Sequence, residues 1–235
     1  MTIRVRIVAM CVLLLGCVSI AASSDPTAPR TPQDVLGLLK AGNDRFARNA
    51  SSPVSLSVNR RRELADSQHP MAIVLSCADS RVPPEYVFNV GLGELFVVRT
   101  AGEVIDRSIL ATVEYGAEHL HVPLLVVMGH ESCGAVKAAA EAKSAAPSPN
   151  LDYLLKAIQA ARKPSAQERD GIKTLVLANV EQVINDAMAK SPLLQNLVDE
   201  GKLGVVGAYY EFVSGRVVFS EPVSVKSLPS HEAKH

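Results

Sequence analysis

The sequence predicts an α/β fold with a mainly parallel sheet that closes on a C-terminal hairpin. Three observations carry that reading. Two apolar runs of strand length, Met71–Leu75 and Leu124–Gly129, each end in a polar cluster. Helix-like stretches stand between the strands, the alternation that accompanies parallel pairing. Near the end of the chain, Ser214-Gly215 marks a turn between Gly204–Tyr210 and Arg216–Phe219.

Taken in order, Thr31-Pro32 opens a helix with Asp34 in its first turn, and Val35, Leu36, Leu38, Leu39 and Phe46 follow at helical spacing. A second helix is expected around Ser57–Ser67, where Arg60, Arg61 and Arg62 read as a solvated or ion-pairing face. Met71–Leu75 is the first strand, and Pro83-Pro84 beyond it forces an extended or turning backbone. Glu94–Arg99 is the next strand. Asp106–Leu120 is a helix with Ile109, Leu110, Val113 and Ala117 on its apolar side. His119 and His121 flank its end, where a histidine meets the helix dipole favourably and is not expected to ligate metal. After Leu124–Gly129, an Ala-rich helix begins near Cys133. Leu151–Ala161, Gln167–Lys190 and Pro192–Asp199 read as further helices, before the late strand and the hairpin.

The chain has 235 residues, equal numbers of basic and acidic side chains, and no Trp. That length suits one α/β domain with a core of Val, Leu, Ile and Ala. The charge balance gives no support for a nucleic-acid footprint. Residues 1–24 read as a cleaved signal peptide: Arg4 and Arg6 precede an uncharged apolar run from Ile7 to Ile20, with small residues after it. At about fourteen residues the run is short of the roughly 20 a membrane span needs. Leu14-Leu15-Gly16-Cys17 also fits a lipoprotein box with the signal ending at Gly16, so export is expected either as a soluble protein or as one tethered through a lipid on Cys17. Residues 25–31 form a linker, 32–228 a single domain, and 229–235 a polar tail.

The chemistry gathers at two strand ends. Cys77-Ala78-Asp79-Ser80-Arg81 follows the first strand, and His130-Glu131-Ser132-Cys133-Gly134 follows the Leu124 strand. In open α/β sheets that end is where ligands collect. Cys77, His130 and Cys133 make a Cys2His set, which leaves one position of a tetrahedral Zn2+ for Asp79 or a water. Cys133 at a helix start is placed to be a thiolate. In an oxidising compartment the same two cysteines could instead form a disulfide. A disulfide, however, has no need of an Asp two residues after one Cys or a His three before the other. Alternation along an extended segment is expected to put Cys77, Asp79 and Arg81 on one side, where Arg81 grips the Asp79 carboxylate and keeps it off the metal. Were that pair to break, Asp79 would close the site.

These residues resemble the β-class carbonic anhydrases. The likeness lies in Cys77–Pro84, in Gly93–Arg99, and in Glu114-Tyr115 ahead of Gly129–Gly134, with weaker similarity across nearly the whole mature chain. The resemblance implies a parallel sheet of about four strands plus an antiparallel one, and a homodimer, often paired into tetramers, with N-terminal helices embracing the partner. It implies one zinc per chain on Cys77, His130 and Cys133, with Asp79 either ligating or paired with Arg81. The activity implied is that of a lyase, the reversible hydration of carbon dioxide to bicarbonate and a proton through a zinc-bound hydroxide. Gly134 would offer a backbone N–H to the product.

The chain departs from the family pattern at Thr100-Ala101-Gly102-Glu103, at Asn89 and at Gly116, and Val90–Gly93 lacks the Gln that some relatives carry. Two rival readings stand beside hydration. One is hydrolysis of carbonyl sulfide or carbon disulfide on the same fold. The other is a non-catalytic or redox-responsive exported zinc-binding protein.

Overall fold

A computed structural model describes residues 30–161 and 171–222. The expected signal peptide, most of the linker, Cys11, Cys17 and the polar tail lie outside the described residues. Five strands, β1 (Ala72–Cys77), β2 (Leu95–Thr100), β3 (Leu124–His130), β4 (Gly204–Tyr210) and β5 (Val217–Phe219), form one sheet in the order β2-β1-β3-β4-β5. The first four are parallel and β5 runs antiparallel to β4. The predicted parallel sheet with an antiparallel C-terminal strand is what the chain forms.

Alternation sorts the side chains of the two central strands onto opposite faces. Ile73 and Leu75 of β1, with Leu125 and Val127 of β3, enter a core shared with α4 (Arg107–Glu114), α7 (Gly171–Lys190) and α8 (Pro192–Asp199). Ala72, Val74, Leu124, Val126 and Met128 face the other way, onto α1 (Pro32–Ala47) and the short α3 (Pro84–Val87). Both strands are buried along their whole length, which is why they read as unbroken apolar runs.

The helix ends follow their sequence signals. Thr31 and Asp34 form a reciprocal capping box ahead of Pro32, and Asp106 caps α4 through Ile109 N–H at 2.9 Å. Several expectations need correction. The second helix is shorter than expected, α2 (Val58–Glu63). Of the extended or turning backbone expected at Pro83-Pro84, Pro83 is extended and Pro84 starts a helical turn, because proline at a first helical position loses no hydrogen bond. The helix expected over 106–120 divides into α4 and a π-helical turn, Tyr115–His119. Within that turn, a Cβ on Gly116 would stand 2.9 Å from Ile73 Cδ1, so the wider turn lies directly on β1. Residues 167–170 of the helix expected over Gln167–Lys190 lie outside the described residues, and α7 is described from Gly171 onward.

β1 and β3 lie side by side, and the chain leaves them in opposite directions across the sheet. That is the switch point at which an open α/β sheet opens a crevice beyond its C-terminal edge. Both polar clusters arrive there together. Beyond β3, α5 (Gly134–Glu141) and α6 (Pro149–Gln159) join α7 and Tyr209 around a smaller cluster that includes Cys77 and Cys133.

Candidate metal centre

Cys77 ends β1 and His130 ends β3, while Cys133 is the residue on which α5 starts. Ser132, in the left-handed region at φ 53°, turns the chain sharply enough to return Cys133 beside His130. The donor atoms of Cys77, His130 and Cys133 all lie within 4.8 Å of one another, and the two sulfurs are 3.9 Å apart. All three residues are buried. His130 Nδ1 stands 2.8 Å from the Glu131 carbonyl, which can only accept, so Nδ1 carries a proton and in the neutral ring Nε2 presents the lone pair that a metal takes. Nε2 is buried with no hydrogen-bond partner among the described residues.

This donor set fits zinc. Two thiolates each ~2.3 Å from a tetrahedral zinc stand roughly 3.8 Å apart, close to the separation of the two sulfurs here. An orphaned imidazole nitrogen aimed at two thiols is costly unless a cation completes the group. The thiols make the same demand. The hydrogen bond shared with Cys133 carries Cys77 well below its ordinary value against the opposing effect of burial. That shared hydrogen bond, and then burial, push Cys133 up. A cation held by both sulfurs would displace their protons.

Asp79 and Arg81 form the expected pair, by a different route. β1 stops at Cys77 and residues 80–81 turn, so strand alternation does not extend to Arg81. Arg81 N–H instead donates to Asp79 Oδ1 at 3.0 Å, closing a local turn. The guanidinium then donates through Nε to Oδ1 at 2.9 Å and through Nη2 to Oδ2 at 2.7 Å. The Arg81 hydrogen bonds hold the Asp79 carboxyl far below the usual carboxylate range, against burial. Asp79 Oδ2 lies 3.9 Å from His130 Nε2, at the margin of the donor set.

Gly134 begins α5, and a Cβ placed there would meet nothing within 4 Å. Its surroundings are therefore open, at a helix start where backbone N–H groups have no intrahelical partner. His119 stacks on Tyr115 with ring centroids 4.8 Å apart. Among the described residues the only His/Cys/Asp/Glu group placed to hold a metal is Cys77, His130 and Cys133, so neither His119 nor His121 joins one.

Several supporting residues escaped sequence reading. Arg99 of β2 donates through Nε to Cys77 O at 2.9 Å and through Nη2 to Asp79 O at 2.6 Å, clamping the backbone between the two. Its signal was present: a charge at the end of an otherwise apolar strand. Gly102 N–H donates to Cys77 Sγ at 3.4 Å. Asn179 of α7 fastens that turn through Gly102 O at 2.8 Å and Glu103 Oε1 at 3.0 Å. Glu103 is fully buried, its Oε2 lacks a partner among the described residues, and its backbone is left-handed at φ 44°. Nothing local in the sequence distinguishes Asn179 from other polar residues of a long helix. The departure at Asn89 is also explained. Its backbone is left-handed at φ 47°, which Asn tolerates, and its side chain ties Arg45 to Ser52.

Comparison with known proteins agrees with this geometry. The sequence profile of the family described as carbonic anhydrase matches residues 72–217. Carbonic anhydrase 2 of Mycobacterium tuberculosis is 39% identical over 189 residues, covering 79% of this chain and 91% of the relative. The carbonic anhydrase of Mycolicibacterium smegmatis is 36% identical over 185 residues, 76% of this chain and 88% of the relative. Among solved structures, the Coccomyxa β-carbonic anhydrase in complex with acetazolamide superposes with a TM-score of 0.64 at 29% identity, over 81% of this chain and 88% of that one.

Proposed function

The chain belongs to the β-class carbonic anhydrase family, and on that footing we propose that it hydrates carbon dioxide reversibly to bicarbonate and a proton with one zinc ion per chain. The observation that carries the zinc reading is the convergence of two buried sulfurs and an unpartnered imidazole Nε2 on one point. Cys77, His130 and Cys133 would hold the ion. When bound, zinc supplies Lewis acidity that brings the ionisation of a water towards neutral pH, behaviour known from the carbonic anhydrases as a class.

The chain's own groups supply orientation. Asp79, kept ionised and turned towards Arg81, accepts a hydrogen bond from the attacking water and fixes the direction of its lone pair. Arg81 prevents the carboxylate from taking the position that water needs. Gly134 N–H, at the N-terminus of α5, donates to the oxygen on which charge develops. Arg99 and the Gly102 turn hold Cys77 and the Asp79 backbone still while this happens. The Glu131 carbonyl holds the His130 ring.

The test is zinc content measured together with stopped-flow carbon dioxide hydration, with and without reductant. About one zinc per chain with fast turnover supports the proposal. Zinc without turnover between neutral and mildly alkaline pH rejects hydration and favours another substrate or a closed site. Activity and metal that appear only with reductant favour the redox-responsive reading.

Assembly and location belong to the same reading. Leu56, Val58, Tyr86 and Leu92 are exposed apolar side chains of the kind that a second copy covers. A homodimer, or a tetramer of two such dimers, is the proposed state, with light scattering as its test. Export to the periplasm or cell envelope is proposed from residues 1–24, and the mature N-terminus read by mass spectrometry decides between cleavage after the apolar run and lipidation at Cys17.

A further inference from the structure

Arg81 does not hold Asp79 alone. Its guanidinium carbon sits 4.2 Å from the ring centroid of Phe212, over the face of the ring. The same ring packs on His130 with centroids 5.4 Å apart. Phe212 thus lies between the arginine of the carboxylate pair and the histidine of the donor set, 131 positions downstream of Arg81 in the loop between β4 and β5.

The loop is built to hold that ring in place. Phe212 N–H donates to Glu131 Oε2 at 2.9 Å, and Glu131 N–H donates to Tyr210 O at 2.8 Å. The tip is closed by Glu211 N–H to Arg216 O at 2.9 Å and Gly215 N–H to Glu211 O at 3.0 Å. Tyr210 meets the Phe212 ring edge-on at 5.7 Å and 87°. The residue next to it, Val213, is 98% exposed, so the chain places the aromatic and not its aliphatic neighbour against the site.

Arg81 needs such support because its side chain is 55% exposed, and an exposed ion pair is weakened by water and salt. A guanidinium lying over an aromatic face keeps its edge free to donate while its plane is held. We propose that Phe212 is a positioning residue that holds the Arg81 guanidinium in its two-bond grip on Asp79, so that the β4–β5 loop sets how often the carboxylate is free to move towards the donor set. This rests on the reading of Asp79 and Arg81 as a working pair, and deepens it by naming the element that controls it.

The experiment compares Phe212→Leu with Phe212→Tyr, in the zinc-loaded protein. Leu keeps apolar bulk without an aromatic face, and Tyr keeps the face. Two quantities are read: kcat and KM for hydration, and hydrogen exchange at Arg81 Nε–H by NMR in arginine-labelled protein. The expected result for Leu is a roughly 2- to 5-fold fall in kcat, with Arg81 exchange faster by a similar factor, and rescue of both by Tyr. Equal impairment in Leu and Tyr, or Arg81 exchange unchanged in Leu, overturns the proposal. Should the Leu variant not fold, Phe212→Met is read in the same way. Because exchange is measured independently of turnover, a protein without hydration activity but with the expected Arg81 response would reject the proposed reaction and leave the Phe212 contact standing.

Discussion

Arg81 occupies both oxygens of Asp79, at 2.9 and 2.7 Å, while its own backbone N–H takes Oδ1 a second time at 3.0 Å. Three donors on one carboxylate leave it ionised and aimed, beside the buried donors Cys77, His130 and Cys133. The first prediction follows from removing this hold. Arg81→Ala should keep close to one zinc per chain while hydration falls by on the order of 100-fold, and Arg81→Lys should restore little, because a point charge cannot replace a planar fork. Stopped-flow rates with metal analysis on the same sample check this, and normal turnover in Arg81→Ala would sink the pair model.

The donor set predicts a different failure. Cys133→Ser removes a thiolate from the start of α5 and should lower zinc affinity well over tenfold, with activity lost in proportion to metal. Full metal content in that variant would overturn the ligand assignment.

Arg99 is not one of the donor residues, yet it holds the carbonyls of both Cys77 and Asp79. Arg99→Met should cost about 1–3 kcal/mol of stability through two carbonyls left without their charged donor. It should also weaken zinc binding without changing the ligand set. Urea unfolding and a metal-competition titration read the two effects separately.

Glu103 predicts a pH dependence. Burial pushes its carboxyl up to about 8, with the Asn179 hydrogen bond opposing. Between the ordinary carboxyl value of 4.5 and about 8 the folded chain keeps a proton that the unfolded chain has released. Its contribution to stability is therefore complete below the lower value and declines as pH rises towards the upper one. Glu103→Gln removes that slope, and should gain on the parent protein by on the order of a few kcal/mol between pH 5 and pH 8. Urea unfolding at the two values tests it, and parallel curves would count against a buried neutral Glu103.

Two glycines should respond in opposite ways. A Cβ at Gly129 would stand 2.5 Å from Val176 Cγ1 and 2.9 Å from Val180 Cγ2, so Gly129→Ala should cost about 1–3 kcal/mol by overpacking α7 against β3. A Cβ at Gly134 meets open space, so Gly134→Ala should leave unfolding within about 0.5 kcal/mol and appear in KM or kcat. A melting shift at Gly134 with unaltered kinetics would remove it from the substrate side.

Periodicity and composition carried much of this protein. β1 and β3 are legible as apolar runs because both of their faces are covered, and α1 and α8 because Thr31 and Pro192 mark their starts. Cys77, Asp79, His130 and Cys133 are legible because thiol, imidazole and carboxylate cluster within a few residues of two strand ends. Those are local signals, and local signals survive in one dimension.

The tertiary structure set which strands are neighbours, and so how two motifs 53 residues apart between Cys77 and His130, grouped in the sequence as one donor set, meet at one point. It also decided how Arg81 reaches Asp79, through a turn where alternation had suggested a continued strand. Arg99, Asn179 and Phe212 gained their roles only by packing. Each is an ordinary residue in its own segment, and each acts through a contact 20 or more positions away. The physical reason is directional. Hydrophobic burial depends on how much surface is covered, and a pattern of residue types records that. A hydrogen bond or a guanidinium over a ring depends on where two groups point, and that is settled only when the sheet has set their distance and angle.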